Sequence, residues 1–206
     1  MLRPSKLILL FVLAWPFTVY ADPEKELAVL LESLGSVQAQ FEQTTLNSHG
    51  DVINASNGNL QLKKGGFFRI ETTDPFPQLL VADGTDFYTF DQDLEQVIVR
   101  WLVRDVKQVP ILLFGSSDQS FLQDYHVTQV NETTYTQFIL EARTPEGIFE
   151  MLILKFIRQK PSSMEMRDSL GQSTRIKLTS VTTNSLIDDS RFKFTAPEGI
   201  DLIDDR

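Results

Sequence analysis

The chain reads as a mainly β protein with helices: a single open antiparallel β-barrel, or half-barrel, covered by an N-terminal helix and by a short helical turn near mid-sequence. Three observations predict this. Runs of period-two alternation follow one another at hairpin spacing. One amphipathic helix precedes them. One stretch, VPILLFG from Val109 to Gly115, is apolar without a polar face and sits behind a proline.

The first residues stand apart from the fold. MLRPSKLILLFVLAWPFTVYA carries Arg3 and Lys6, then an apolar run from Leu7 to Trp15, then Val19-Tyr20-Ala21. That is the layout of a secretory signal peptide with a small residue at its cut site. We expect residues 1–21 to be a signal peptide cut after Ala21, and residues 22–206 to form one exported domain. The apolar run is shorter than the roughly 20 helical residues a bilayer needs, and no later stretch reaches that length. Removing residues 1–21 takes away two cations and no acid, so 17 basic and 28 acidic residues remain and the net charge falls from −9 to −11. Such a balance argues against nucleic acid as a partner and against electrostatic docking on anionic lipid, and favours a partner with a basic surface. There is no cysteine, so no disulfide supports the fold and no thiol takes part in chemistry.

DPEKELAVLLESLG, from Asp22 to Gly35, has the punctuation of a helix. Asp22 suits the N-cap, Pro23 the first helical position and Gly35 the C′ position. Leu27, Leu30, Leu31 and Leu34 recur at i, i+3, i+4 and i+7, so the helix has one apolar stripe and must lie on something.

After Gly35 the period changes from 3.6 to 2. In SVQAQFEQ, Val37, Ala39 and Phe41 alternate with Gln38, Gln40 and Glu42, giving a strand with one dry face. Similar strands are expected at GNLQLKK, FFRIET, QLLVA, DFYTF, EQVIVRW, YHVTQV, TQFILEA, MLILKF, SMEMR, TRIKLTSV and RFKF. Turn signals separate them at Gly65-Gly66, Pro75 to Pro77, Asp83-Gly84, Asp91 to Asp93, Pro145 to Gly147 and Ser169 to Gly171. Many short strands with hairpin-length connections make an antiparallel meander, and one apolar face per strand makes a curved sheet with one covered side.

The segment from Arg104 to Asp124 interrupts the meander. Pro110 suits the first residue of a helical turn and Gly115 its end. Between them Ile111, Leu112, Leu113 and Phe114 point all round the axis, so the turn is expected to be buried on all sides. The N-terminal helix and this turn then cover the concave face of the sheet, with either a packed core or a cavity beneath them.

The order of VQAQFEQ, GNLQLKKGGFFRIETTDPFPQLLVADGTDFYTFDQDLEQVIV, VPILLFG, RDSLGQSTRIKL and FKFTAPEGIDLIDD resembles the outer-membrane lipoprotein carrier (LolA) family of Gram-negative bacteria across nearly the whole of residues 22–206. The resemblance implies a hydrophobic cavity in an open barrel, closed by a helical lid. Such a cavity receives the acyl chains of lipoproteins from an inner-membrane ABC exporter, and the carrier passes them across the periplasm to a receptor lipoprotein in the outer membrane. Acylated lipoproteins, the exporter and the receptor are therefore the expected partners of a monomer that needs no cofactor and no metal.

By the same resemblance the lid falls on Pro110, Ile111, Leu112, Leu113 and Phe114. The cavity wall is assigned to Leu30, Val37, Phe41, Leu60, Leu62, Phe68, Ile70, Leu80, Phe90, Phe138, Leu140, Leu152 and Leu154, with Phe68 at the family's mobile loop position. Two features depart from the pattern. Lys64-Gly65 stands where the family has Arg-Pro, whose arginine holds the lid through its carbonyls, and Ile70 replaces a tryptophan. Lys64 and Arg69 are the candidate latch residues, although a lysine lacks the planar fork of an arginine.

Catalytic patterns are missing. His49 and His126, the two histidines, stand in no metal or triad spacing. DQDLE, from Asp91 to Glu95, opens like a calcium loop but lacks the glycine and the distant glutamate, and reads as a charged hairpin turn. FGSSDQS has serines without a nucleophile elbow, and no glycine-rich phosphate cradle occurs. The chain is not expected to be an enzyme. Alternative readings are a periplasmic domain that senses lipid or lipoprotein, and a carrier of another amphiphile.

Overall fold

The computed structural model describes residues 22–102, 109–116, 118–144 and 149–206. The expected signal peptide, the start of the central segment at 104–108 and the Pro145 to Gly147 turn lie outside the described residues.

The helix α1 spans Pro23–Ser33. Its N-cap is Asp22, whose Oδ1 accepts the Glu24 N–H at 3.2 Å, and Pro23 opens the first turn. Leu27, Leu31 and Leu34 are buried on the sheet. With Leu34 as C-cap, Gly35 stands at C′ as expected, but without a left-handed backbone. Instead the Gly35 N–H donates to Asn184 Oδ1 at 2.6 Å, and a Cβ at residue 35 would stand 3.2 Å from that oxygen. The glycine serves close approach rather than chain reversal.

Twelve strands follow: β1 (Ser36–Leu46), β2 (Val52–Lys63), β3 (Phe67–Asp74), β4 (Gln78–Asp83), β5 (Asp86–Asp91), β6 (Gln96–Trp101), β7 (Tyr125–Asn131), β8 (Thr136–Ala142), β9 (Phe149–Ile157), β10 (Lys160–Asp168), β11 (Ser173–Thr183) and β12 (Asp201–Asp204). They form one sheet in the order β12-β6-β5-β4-β3-β2-β1-β11-β10-β9-β8-β7. The sheet is open, with β12 and β7 at its ends. All pairs are antiparallel except β12 with β6, which is parallel.

Cross-strand partners share a face, so the registers trace the inner wall. One row joins Leu60, Ile70 and Leu80. Another joins Leu62, Phe68, Ala82 and Phe87, and a third joins Phe138, Leu154, Met164 and Ile176. These residues, α1 and the central turn share one apolar cluster.

Two expectations are corrected. RFKF is not a strand. Asp188 caps a short 3₁₀ turn at Asp189–Phe192 by accepting the Ser190 N–H at 2.8 Å. Its alternation is nonetheless real, because the Phe192 and Phe194 rings both meet the sheet, Phe192 lying 5.7 Å from Phe67 and Phe194 5.3 Å from Tyr88. The last strand is instead β12, whose four residues are all exposed and so carry no inside–outside signal. Nor is only one side of the sheet covered. From Asn184 onward the C-terminal segment crosses the convex face from β1 to β6. Gln38 donates to Ser185 Oγ, Arg191 donates to Gln61, and Val81, Val97 and Val99 are buried on that side.

At Gly58 in β2 the register with β3 shifts. A Cβ there would stand 1.9 Å from the Glu71 carbonyl oxygen and 2.9 Å from the Phe41 ring. Gly58→Ala is expected to destabilise the protein by about 3 kcal/mol or more. Urea unfolding midpoints read this directly, and a shift equivalent to less than about 1 kcal/mol would show that β3 yields freely here.

Candidate functional site: a lidded apolar groove

The central turn spans Pro110–Gly115, with Pro110 in its first position. It closes on itself: the Leu112 N–H donates to Val109 O at 3.0 Å and the Ser116 N–H to Leu113 O at 3.4 Å. Gly115 rests on β2, where an added Cβ would stand 2.9 Å from Leu62 Cβ. Ile111, Leu112 and Phe114 are buried, whereas Pro110 and Leu113 are half-buried. The turn therefore has an outer side, which corrects the expectation of burial all round. Six residues are too few to reach the interior on every side while bridging an open sheet. The anchor is Phe114, 0 % exposed, whose ring meets Phe156 edge-on at 5.7 Å, and Phe156 in turn meets Phe138 at 6.0 Å.

Beside the Val109–Ile111 end of this lid the concave face opens into a groove of about 530 Å³. Phe41, Leu60, Ile70, Leu80, Met166 and Ile176 form its apolar inner part. Its outer part carries Gln43, Asn54, Ser56, Thr72, Gln78, Gln172 and Thr174, with the carboxylates Asp91 and Asp168. Hairpin tips make this mouth. Asp91 Oδ1 accepts the Asp93 and Leu94 N–H groups at 3.1 and 3.0 Å, as expected of a charged turn, and Asp168 Oδ1 accepts those of Leu170 and Gln172. Phe76, at the edge of the groove, is 70 % exposed. The arrangement is amphipathic along its length, and among the described residues acids line it without a basic residue.

The assigned wall residues divide into four groups. Phe41, Leu60, Ile70 and Leu80 line the groove. Val37, Leu62, Phe68, Leu140, Leu152 and Leu154 are packed into the cluster shared with α1 and the lid. Leu30 and Phe138 instead face a separate recess beside α1. Phe90 is misassigned: it pairs with Leu79 and Val97 on the convex side, and its ring lies 5.9 Å from Phe194. The run DFYTF alternates in the right period, but both of its faces are apolar, so nothing local says which is inward. Phe68 is not in a loop. It sits in β3, buried, 5.4 Å from Phe87.

Among the described residues neither candidate latch residue is hydrogen-bonded to the central turn. Lys64 Nζ donates to Glu32 O at 2.6 Å and pairs with Glu32 Oε1 at 2.8 Å, so it closes the C-terminal end of α1, where a cation is favoured. Arg69 falls between Phe68 and Ile70, both inward, and period two turns it to the convex face. There its nearest acid is Glu71 at 3.9 Å, and its buried Nε has no hydrogen-bond partner. Met166, Ile176 and Val109 were missed as lining residues. The first two were legible, because they stand on the dry face of strands that alternation already marks. His126 lies against Arg143, 3.0 Å from its Nη1. Burial raises the Tyr125 phenol pKa, with Asp124 adding to the shift.

The family model described as outer membrane lipoprotein carrier protein LolA matches residues 32–195. The chain belongs to the LolA family. It is 37 % identical to the outer-membrane lipoprotein carrier protein of Chromohalobacter salexigens over 93 % of this chain and 92 % of that one. Its identity to the protein of the same name from Alcanivorax borkumensis is 34 %, over 90 % of each. An uncharacterized conserved protein from Thermus thermophilus shares the fold with a TM-score of 0.57 at 12 % identity, covering 87 % of this chain and 98 % of that one. The anchor of the central turn is Phe114, not Leu113. Phe114→Ala should therefore cost about 3 kcal/mol, against less than about 1 kcal/mol for the half-exposed Leu113→Ala. Equal losses in urea unfolding would show that the lid docks as a smooth surface without an anchor.

Proposed function

We propose that this chain is a periplasmic carrier that binds lipoproteins by their acyl chains, receives them from an inner-membrane ABC exporter and delivers them to an outer-membrane receptor lipoprotein. On this reading residues 1–21 are the export signal, removed after Ala21, and the lid turn must leave its seat for the acyl chains to enter. One observation carries the reading. An apolar groove stands open to solvent immediately beside a turn whose buried side chains occupy the rest of the same apolar face.

Magnitudes make the lid useful. Each buried methylene is worth about 0.8 kcal/mol, so one sixteen-carbon chain, fully wrapped, gains roughly 12 kcal/mol. Three such chains would pass the roughly 18 to 21 kcal/mol at which non-covalent affinity saturates, and release would be too slow for transport. Ile111, Leu112 and Phe114, by the same measure, contribute roughly 5 to 9 kcal/mol to the closed lid. An incoming chain must displace that contact, so the net affinity is the difference between the two and the cargo stays transferable.

A lid that competes with cargo gives opposite signs at two sites. Phe114→Ala is expected to bind a tripalmitoylated cysteinyl peptide about tenfold more tightly than the unaltered protein, because its lid resists less. Leu80→Gln, in the groove wall, should bind it about tenfold more weakly with the fold unchanged. Fluorescence titration separates the two, and weaker binding by Phe114→Ala would contradict competition.

A further inference from the structure

The recess beside α1 is larger than the groove at the mouth, about 860 Å³. One wall is α1, through Lys25, Glu26, Val29 and Leu30, and the other is the turn between β7 and β8 with the end of β9. Its apolar part is Leu30, Val29, Tyr135, Phe138 and Phe156. Val29 is 70 % exposed there, on a helix whose opposite side is sealed. Phe156 also receives the Phe114 ring. One side chain thus borders both the lid's seat and the second recess, with Phe138 edge-on beside it. Once the lid leaves, the space Phe114 vacated adjoins that recess through the Phe138–Phe156 pair.

We propose that the carrier is open at both ends, and that the far end of a long acyl chain passes the Phe138–Phe156 pair and lies in the recess between α1 and the β7–β8 turn. This rests on the carrier reading and names where a chain ends rather than what is carried. The recess has a polar lining that includes Glu26, Gln129, Asn131, Glu132 and Arg158, and its apolar part suits a neutral alkyl end. Lys25 is already paired with Asp22 at 3.1 Å, and the apolar lining is continuous with the core cluster through Leu30, Phe138 and Phe156. Strong polar contacts pin the C-terminal end of α1: the Gly35 N–H to Asn184 Oδ1 at 2.6 Å, Asn184 Nδ2 to Ser33 O at 3.0 Å, and Lys64 to Glu32. Toward its N-terminus the helix is held by the buried Leu27, by Gln119 donating to Ala28 O at 2.9 Å, by the exposed Glu24–Arg143 contact at 4.0 Å and by Gln129 donating to Glu26.

The test uses two lipopeptides bound to the mature protein, each with a photoreactive diazirine on the last carbon of one acyl chain, sixteen carbons long in one and eight in the other. The long probe is expected to label residues within 22–33 or 132–138, and the short one the first groove near Phe41, Met166 or Ile176. Leu30→Trp, which fills the recess, should weaken the long probe about tenfold and the short probe by less than twofold. Labelling by the long probe confined to the first groove or the lid's seat would overturn the proposal. So would an unchanged affinity of the long probe for a folded Leu30→Trp protein. If neither probe binds the unaltered protein, the carrier reading itself fails, and this proposal with it.

Discussion

Everything in this molecule depends on a dry concave face that its own central turn covers and that, on the carrier reading, a foreign alkyl chain also satisfies. A sheet with a largely apolar inner face must be covered, because uncovered it would present several hundred square ångströms of apolar surface to water. A permanent cover would make an ordinary core. Here the cover is divided. The helix α1 is tied down by hydrogen bonds and ion pairs at its C-terminal end, whereas the hydrogen bonds of the lid turn, among the described residues, close within the turn itself. Among the described residues apolar contact then holds the turn, and on the carrier reading an acyl chain replaces that contact in kind. A lid sewn down with directional hydrogen bonds would ask its ligand to supply matching donors, which an alkyl chain lacks.

The inner face was legible in the sequence because period two fixes it. Once Val37, Ala39 and Phe41 are assigned inward, Leu60, Leu62, Phe68, Ile70, Phe138, Leu140, Leu152 and Leu154 follow from the alternation of their own strands, and all of them are inward in the structure. The Asp22–Pro23 start of α1 was legible for a different reason, since its capping chemistry is local. The errors share one cause, which is that the second cover of the sheet is not local. Phe90 is assigned inward, and the direction of Arg69 is not legible, because nothing near them in sequence announces that residues 184–206 return to cover the convex face of β3 to β6. With that segment in place an outward Phe90 has Phe194 to meet, and an outward Arg69 is half-buried rather than solvated. Lys64 was given a role from its position in a pattern. Its actual contact is the end of a helix more than 30 residues earlier, which spacing does not show.

Open sheets carry two exposed edges, and this one treats them differently. β12 covers the edge of β6, and it is itself short and acidic, with Asp201, Asp204 and Asp205 along it, which discourages further pairing. Arg206 bridges Asp204 and Asp86 at 2.6 and 2.9 Å, holding the end of the chain against β5. Contact with Arg206 also keeps the Asp204 carboxyl near a pKa of about 2, so that bridge stays charged across the whole physiological range. At the other end of the sheet, β7 is flanked by α1, with Gln129 donating to Glu26.

The two covers also divide the barrel mechanically. From β1 to β6 the sheet lies between the inner cluster and the C-terminal segment, so bending it there would break contacts on both faces: Lys63 with Asp189, Arg191 with Gln61, and the Phe67, Tyr88 and Phe90 rings with Phe192 and Phe194. Among the described residues no hydrogen bond, ion pair or ring contact joins the C-terminal segment to β7–β10, and these strands are supported by the inner cluster. A cavity that must admit bulky chains needs a wall that yields and a frame that does not. Local opening costs least where fewest contacts are lost, so enlargement belongs to the β7–β10 side. Both Phe138 and Phe156, the ring pair that receives the lid's anchor, stand on that side. The groove mouth joins the two halves, with Asp91 from one and Asp168 from the other, and one continuous sheet serves as frame and as wall because its last residues fold back over only part of it.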